Sequence, residues 1–205
     1  MSRFGAALLG LLWLLPALAS CAEPVQWHDG DLIFQTSSSA QSAAVQAATG
    51  SRWSHMGVIV YRHGKPDVLE AEAQVRFTPL ASWIARGEGG HYAVRRLRDH
   101  APIDTDAAHA RLRETAGAML GRPYDTRFEW SDRRLYCSEL AWKLYQRSYG
   151  IILAPLSHLR DFKLDSTVVR AKLQQRYHGK PPLDEPVIAP DAIFRSTLLS
   201  TVVEQ

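Results

Sequence analysis

The sequence has only two cysteines, Cys21 and Cys137, and neither belongs to a CxxC motif. It also lacks an HExxH motif, and no two of its histidines have the spacing of metal ligands on one helix face. Zinc sites commonly use such motifs and spacings. Their absence leads us to predict neither a metal site nor a cofactor.

The sequence also lacks a basic stripe, an internal repeat and a low-complexity tract. Its net charge is only +3, and lysine and arginine are scattered among aspartate and glutamate. Proteins that bind nucleic acid instead cluster their basic residues on one face. A hydrophobic content of 46% is that of a folded globular protein. We therefore expect a globular protein that does not bind nucleic acid.

No hydrophobic run is long enough to span a bilayer, which needs about 20 residues. The N-terminus has one shorter run, from Phe4 to Leu15, which follows Arg3 and precedes small residues. This order is typical of a secretory signal. We predict a signal peptide at residues 1–20 and a single domain at residues 22–205.

The end of this segment, LASC at residues 18–21, resembles the lipobox of bacterial lipoproteins. Cys21 would then carry the lipid, become the first residue of the mature protein and anchor it to the membrane. Because Ala22 rather than aspartate follows, we expect the periplasmic face of the outer membrane. Ordinary cleavage after Ala19 or Ala22 is the alternative, and it would give a soluble periplasmic protein.

Cys137 has three interpretations: half of a disulfide with Cys21, a small core residue, or a nucleophile. If Cys21 is lipidated or removed, Cys137 has no partner within the chain. It begins the segment CSELAWKLYQRSY, which predicts a helix that ends at Gly150. Helical spacing places Cys137 on an apolar stripe, opposite a polar face. The stripe comprises Leu140, Ala141, Leu144 and Tyr145, and the polar face comprises Glu139, Lys143, Gln146 and Arg147.

A thiol in the first turn of this helix lies near the positive end of the helix dipole and near free N–H groups. Both features stabilise a thiolate and lower the pKa of the thiol. The same N–H groups can donate to an oxyanion. A cysteine on an apolar stripe is, however, more often a core residue. The helix alone leaves both interpretations open.

His55 is the histidine best placed to act as a base, because it opens the predicted strand HMGVIVY. Gly57, two residues further on, leaves room beside the imidazole for another group to approach. If this strand pairs with residues 67–73 as a hairpin, Glu70 and Glu72 share the face of His55. Hairpin geometry does not choose between the two glutamates. A surface histidine beside a surface glutamate is the alternative interpretation.

Strand patterns predominate in the first half of the chain and helix patterns in the second, which predicts an α+β fold. Strands are predicted at 31–36, 55–61, 67–73 and 92–97. Helices are predicted at 40–49, 80–85, 106–120, 137–150 and 167–177, with a last helix from Pro190.

The chain order His55, Glu70, Cys137 is that of a papain-like site whose sequence order is rotated. The motifs that accompany it are GDLIFQ, SHMGVIV, VLEA, TPLASWIARGEGGHYAVRRL, GRPYD and WSDRRLYCSELAWKLY. In this order and spacing they resemble the YaeF/YiiX-type permuted papain-like amidases of the NlpC superfamily. The resemblance covers nearly all of the chain after the signal. It implies a circularly permuted papain-like fold, in which a small curved antiparallel sheet packs against the cysteine helix.

The resemblance also implies a set of site residues. Cys137 matches the nucleophile, His55 the base, and Glu70 in VLEA the third residue of the triad. We further expect Tyr124 in GRPYD and Ser54 in SHMGVIV to contact the substrate.

The implied activity is that of a cysteine hydrolase that cleaves an amide or peptide bond through a thioester. Peptidoglycan peptides are the natural substrate for an anchored periplasmic enzyme of this kind. An acyl-lipid thioesterase or acyltransferase is an alternative, and so is a ligand-binding lipoprotein with an inert Cys137. A deep apolar channel beside Cys137 would favour a lipid, and a polar groove with a charged end would favour a peptide.

The lipobox makes a prediction about Cys21. We expect Cys21→Ser to abolish metabolic labelling of the protein with palmitate, because the thiol is the acceptor of the lipid. Cys137→Ser serves as the control and should leave the labelling unchanged. Labelling that persists in Cys21→Ser would rule out the lipobox.

Overall fold

The structure is a computed structural model that describes residues 25–205. The predicted signal peptide and the predicted lipid attachment at Cys21 lie outside these residues. Within residues 25–205, no helix combines the length and the apolar character needed to cross a membrane.

Six antiparallel strands form one sheet in the order β4-β3-β2-β1-β5-β8. Two short strands, β6 and β7, pair separately. The bounds are β1 Leu32–Ser37, β2 His55–Arg62, β3 Lys65–Ala71, β4 Val75–Pro79, β5 Gly87–Leu97, β6 Ser157–His158, β7 Pro186–Val187 and β8 Leu199–Glu204.

The described residues form six α-helices that pack around the sheet, and several of them begin and end at residues suited to these positions. The Thr105 hydroxyl accepts a hydrogen bond from the N–H of Ala108 and so caps the start of α3. Gly50 and Gly150 end α1 and α4 with φ angles of 70° and 71°, a backbone conformation that favours glycine. The helices are α1 Ser42–Thr49, α2 Leu80–Ala85, α3 Asp106–Met119, α4 Cys137–Tyr149, α5 Thr167–Tyr177 and α6 Pro190–Phe194.

Both faces of the sheet are covered, and the alternation along the strands decides which residue faces which layer. Phe34 and Val58 point toward α3 and α4 and belong to the larger core. Ile59 and Val68 point to the opposite face, where α2 packs through Trp83. The α+β prediction is therefore confirmed, with α4 packed against the sheet as expected.

Sequence analysis did not predict four of the eight strands within residues 25–205: β4 and β8 of the six-stranded sheet, and the short pair β6 and β7. β4 lies at one edge of the sheet, and β8 pairs with β5 at the other edge, where Val203 lies opposite Val94. The pairing of β8 with β5 joins residues more than a hundred positions apart, so no local hairpin pattern predicts it.

The predicted polar face of α4 was wrong for two of its four residues. Gln146 and Arg147 are exposed, but Glu139 and Lys143 are buried and form an ion pair of 2.7 Å. The Lys143 ammonium also donates to the carbonyl of Ser131 at 2.8 Å and lies 4.6 Å from the centre of the Trp130 ring. The segment before α4 thus covers this face, and burial raises the pKa of Glu139 to about 7 although Lys143 acts to lower it.

Gly57 on β2 allows strand β3 to approach closely. A Cβ atom at this position would lie 2.3 Å from Val68 Cγ1 and 2.8 Å from the carbonyl oxygen of Leu69. The room expected beside His55 is therefore filled by β3, which carries Glu70.

Replacing Gly57 with alanine should destabilise the protein by about 1–3 kcal/mol, because the extra methyl group overpacks the β2–β3 pair. Gly117→Ala on α3 is the matched control. A Cβ atom at Gly117 meets nothing within 4 Å, so this change should stabilise the protein by up to about 1 kcal/mol. Urea unfolding followed by circular dichroism measures both, and equal effects of the two changes would contradict the prediction.

Candidate active site

The Cys137 thiol lies at the first residue of α4 and is buried, with 5% of the residue exposed. Burial acts to raise its pKa, but the hydrogen bond and the charge of His55 outweigh burial and lower it. The backbone N–H groups of Met56 and Ser138 lower it further. The helix start and the beginning of β2 therefore both stabilise a thiolate at this position.

The His55 imidazole bridges the thiol and a carboxylate. Its Nε2 atom lies 2.8 Å from Oε2 of Glu70, which leaves Nδ1 for Cys137. The ring stacks on the indole of Trp83, with 5.8 Å between the centroids and 23° between the planes. Burial acts to lower the pKa of His55, but hydrogen bonds to Cys137 and Glu70 raise it to about 9. The imidazolium form is thus favoured at neutral pH.

The Glu70 carboxylate is fully buried and has no free oxygen. Besides His55, it accepts hydrogen bonds from the Thr78 hydroxyl at 2.6 Å, the Trp83 indole at 3.0 Å and Arg86 at 2.7 and 2.8 Å. Burial acts to raise the pKa of Glu70, but His55 and then Thr78 and Arg86 lower it to about 2. Glu70 therefore stays ionised and holds the imidazole in one orientation.

The structure also answers the question that hairpin geometry left open. Strands β2 and β3 pair with Ile59 opposite Val68, which puts Glu70 on the face of His55. Glu72 is exposed and contacts Arg76 at 3.1 Å. Glu70, and not Glu72, is the glutamate that meets the imidazole.

Two depressions meet at Cys137 and His55. The first is an open polar groove of about 640 Å³ that borders His55. Four cationic side chains line it: Arg86, Arg127, Lys172 and Arg176. The second is a narrow pocket that borders Cys137 and has mostly apolar walls, among them Ala44, Val45, Ala48, Val169 and Leu173.

Tyr124 and Ser54 lie where these two depressions meet the site. Tyr124 borders both of them, and its hydroxyl accepts a hydrogen bond from Gln41, which in turn accepts one from Arg176 at 2.7 Å. The Ser54 hydroxyl lies 2.6 Å from that of Ser42 and borders only the apolar pocket. Contact of Tyr124 and Ser54 with substrate stays a prediction.

Sequence analysis missed the residues that hold Glu70. Thr78, Trp83 and Arg86 all come from TPLASWIAR, a segment that supported the resemblance but to which we assigned no role. Gln35 was also missed: it is buried, it borders the groove beside His55, and its Oε1 atom has no hydrogen-bond partner in the described part of the chain. Polar residues within the otherwise apolar segments GDLIFQ and TPLASWIAR could have indicated these buried roles from the sequence.

One group of metal-ligating side chains exists within residues 25–205, and it lies away from Cys137. His28, His100 and Asp104 have ligand atoms within 4.8 Å of one another. His28 precedes β1, whereas Gln35 near the end of β1 pairs with His55. Since a strand rises about 3.3 Å per residue, the two sites are roughly 20 Å apart.

A buried thiol at a helix start, an imidazole and an oriented carboxylate on an α+β scaffold define the papain-like cysteine hydrolases. Residues 26–203 match the family described as permuted papain-like amidase enzyme, YaeF/YiiX, C92 family. The chain belongs to this family, whose members are cysteine peptidases or amidases.

Two relatives agree with this assignment. The chain is 43% identical over 198 residues to the uncharacterized protein YiiX of Escherichia coli strain K12, covering 97% of this chain and 94% of the relative. It is also similar to the crystal structure of the metalloprotein yiiX from Escherichia coli O157:H7. That comparison has a TM-score of 0.82 and 45% identity and covers 86% of this chain and 97% of the other. The predicted permuted papain-like fold is thus confirmed.

The pKa shifts predict how Cys137 reacts with iodoacetamide. We expect alkylation to titrate at a lower pH than that of an ordinary thiol, whose pKa is about 8.5, because the hydrogen bond and the charge of His55 lower the pKa of Cys137. His55→Ala should move the titration to or above that ordinary value, because burial then acts without the imidazolium. His63→Ala, in an exposed turn, is the control and should change nothing. The same titration in His55→Ala as in the unchanged protein would contradict the ion pair.

Proposed function

We propose that the protein hydrolyses an amide bond with Cys137 as nucleophile, His55 as acid and base, and Glu70 as the residue that orients His55. The observation that supports this most strongly is the contact of His55 with both other residues. The thiol pKa is lowered and the imidazole pKa is raised, to about 9. Both shifts favour a thiolate–imidazolium pair, which is the reactive form of a cysteine hydrolase.

Acylation begins when the Cys137 thiolate attacks the carbonyl carbon of the substrate. The negative charge that develops on the carbonyl oxygen is stabilised by the backbone N–H of Cys137 at the positive end of α4. His55 then gives its Nδ1 proton to the leaving amine, the C–N bond breaks, and a thioester remains on Cys137. Glu70 keeps Nε2 protonated throughout, because its own pKa is about 2.

Deacylation reverses these roles. Neutral His55 takes a proton from a water molecule, which attacks the thioester carbonyl and releases the acid. The Cys137 thiolate and the imidazolium are restored together. Because the pKa of His55 is about 9, we expect the rate of acylation to fall as the pH rises through that value.

The polar groove supports a peptide with free carboxylates as the substrate. Arg127, Lys172 and Arg176 line one opening that leads to His55, where, among the described residues, Glu72 is the one acidic side chain in the lining and the fourth cation, Arg86, is already paired with Glu70. Arginine in particular binds carboxylates through paired hydrogen bonds. Cell-wall peptides carry such carboxylates, and an enzyme anchored through Cys21 at the periplasmic face of the outer membrane would meet them.

The apolar pocket supports a second candidate, an acyl-lipid thioesterase or acyltransferase. This pocket reaches Cys137 itself, and Leu173, Val169 and Ala48 are among its walls. A hydrocarbon chain would therefore be bound next to the nucleophile, with its carbonyl at the thiol. The same thioester would form, and only the leaving group would differ.

The solved relative is described as a metalloprotein, and this chain has residues that fit a metal ion away from Cys137. Among residues 25–205, the metal-binding side chains left at the catalytic centre are Cys137 and His55, because the Glu70 oxygens are already hydrogen-bonded. His28, His100 and Asp104 provide a set of donors elsewhere. A metal ion there would supply a structural link, and the steps above use only the protein's own groups.

Cys137→Ala should abolish hydrolysis while the unfolding midpoint in urea changes little, because the change removes only one side-chain heavy atom, the sulfur. Activity is measured as amine released from cell-wall peptides and, separately, from N-palmitoyl amino acids. Lys163→Ala, an exposed change outside the site, should retain full activity. Turnover that survives in Cys137→Ala would contradict the mechanism.

The same assay separates the two substrate classes. Ala48→Phe fills the apolar pocket, so it should raise KM for the palmitoyl substrate and leave the peptide unaffected. Arg127→Gln removes a cation from the groove. It should raise KM for the peptide and leave KM for the palmitoyl substrate unaffected. The variant that changes KM identifies the side of the site that the true substrate occupies.

A further inference from the structure

Three side chains from two distant parts of the chain converge at the end of the sheet opposite the proposed catalytic centre. His28 comes from the turn before β1, and His100 and Asp104 come from the connection between β5 and α3. One ligand atom of each lies within 4.8 Å of the other two. Two imidazoles and a carboxylate are donors that zinc and similar divalent ions bind.

The position of His28 is fixed by its backbone. Its N–H donates to Oδ2 of Asp31 at 2.9 Å, and the N–H of Asp31 donates back to the carbonyl of His28 at 3.1 Å. Arg96 holds the Asp31 carboxylate through two hydrogen bonds of 2.6 and 2.7 Å. His28 therefore projects from a rigid turn rather than from a loose end.

His100 and Asp104 are also held at a constant spacing. They flank a short 3₁₀ turn at Ala101–Ile103, and the N–H of Asp104 donates to the carbonyl of His100 at 3.0 Å. A ligand atom of each lies within 4.8 Å of one of the other. Both side chains are partly or fully exposed, so they can rotate by the small amount needed to close around an ion.

Asp104 differs from the two neighbouring aspartates, Asp29 and Asp31, in that it has no arginine partner within residues 25–205. Asp29 and Asp31 are neutralised by Arg113 at 2.9 Å and Arg96 at 2.6 Å. Within residues 25–205, Asp104 forms ion pairs only with histidines, with 3.7 Å to His28 Nδ1 and 3.3 Å to His109 Nε2.

His109 lies beside Asp104, outside the set of three candidate ligands. Its Nε2 atom is buried, lies 3.3 Å from Oδ1 of Asp104 without forming a well-aligned hydrogen bond, and has no other partner within residues 25–205. A carboxylate that ligates a metal through one oxygen usually has its other oxygen hydrogen-bonded by a neighbouring group. His109 is positioned to play that part for Asp104.

Although the sequence motifs predicted no metal site, we propose that His28, His100 and Asp104 bind a divalent transition-metal ion of the zinc class. Water would complete the tetrahedral shell, and His109 would orient the Asp104 carboxylate from outside it. Two ligand atoms on a tetrahedral zinc ion are about 3.3 Å apart, so the three side chains must close slightly from their present positions. The ion ties the segment before β1 to the connection that leads into α3.

This site is structural rather than catalytic. Gly30, two residues after His28, accepts a hydrogen bond from Tyr145 of α4 through its carbonyl oxygen. The ion would therefore stabilise the N-terminal turn against the same helix that carries Cys137, roughly 20 Å from the thiol by strand length. The proposal does not depend on the proposed amidase activity.

The test is zinc binding by the purified protein, measured by titration calorimetry and by metal content. We expect one zinc ion per chain. His100→Ala and Asp104→Asn should each weaken binding by more than about 100-fold, whereas His109→Ala should weaken it by about 10–100-fold, as for the loss of an outer partner. His158→Ala is the matched control, because His158 is exposed and also lies 3.7 Å from an aspartate, Asp161. It should bind zinc normally.

Two further measurements distinguish binding at the proposed site from binding at Cys137. Zinc at about 100 times its dissociation constant should raise the melting temperature by roughly 5–10 °C, and this rise should vanish in Asp104→Asn. Cobalt(II) bound at the proposed site should show no thiolate-to-cobalt charge-transfer band, and Cys137→Ser should bind zinc as before. Binding that is lost in Cys137→Ser but kept in His100→Ala and Asp104→Asn would overturn the proposal and place the ion at the catalytic centre.

Discussion

The carboxylate of Glu70 has no exposed surface, and an isolated charge in such a place would be very unfavourable. It is tolerated because donors from three other elements converge on it: His55 from β2, Thr78 from β4, and Trp83 with Arg86 from α2 and its end. The same contacts fix the relative positions of these elements. A buried charge that is fully satisfied rigidifies its surroundings, and the orientation of His55 depends on that rigidity.

The proposed catalytic residues come from opposite sides of the sheet. His55 and Glu70 lie on the face covered by α2, whereas Cys137 belongs to α4 on the other face. They meet only because His55 is the first residue of β2, where the sheet ends and the N-terminus of α4 arrives. This placement gives the site two differently lined approaches, a cationic groove beside the imidazole and an apolar pocket beside the thiol. A substrate with one charged and one apolar part would match both.

The two ends of β1 lie at the two proposed sites. One end brings Gln35 alongside His55, and the other follows the turn that presents His28 to His100 and Asp104. Arg96 and Tyr145 hold that turn against β5 and α4. The strand thus links the proposed catalytic centre to the proposed metal site, with the hydrophobic core packed between them.

The sequence by itself determined the elements whose patterns are local. The bounds of α2 and α5, the cysteine at the start of α4 and the β2–β3 hairpin all follow from periodicity, capping residues and a turn. The resemblance selected Glu70. Only the tertiary structure decided what depends on distant contacts: the pairing of β8 with β5, the burial of Glu139 with Lys143, and the donors around Glu70. It also decided the meeting of His28 with His100. Periodicity reports which face of an element is apolar, but it carries no information about which distant segment covers the other face.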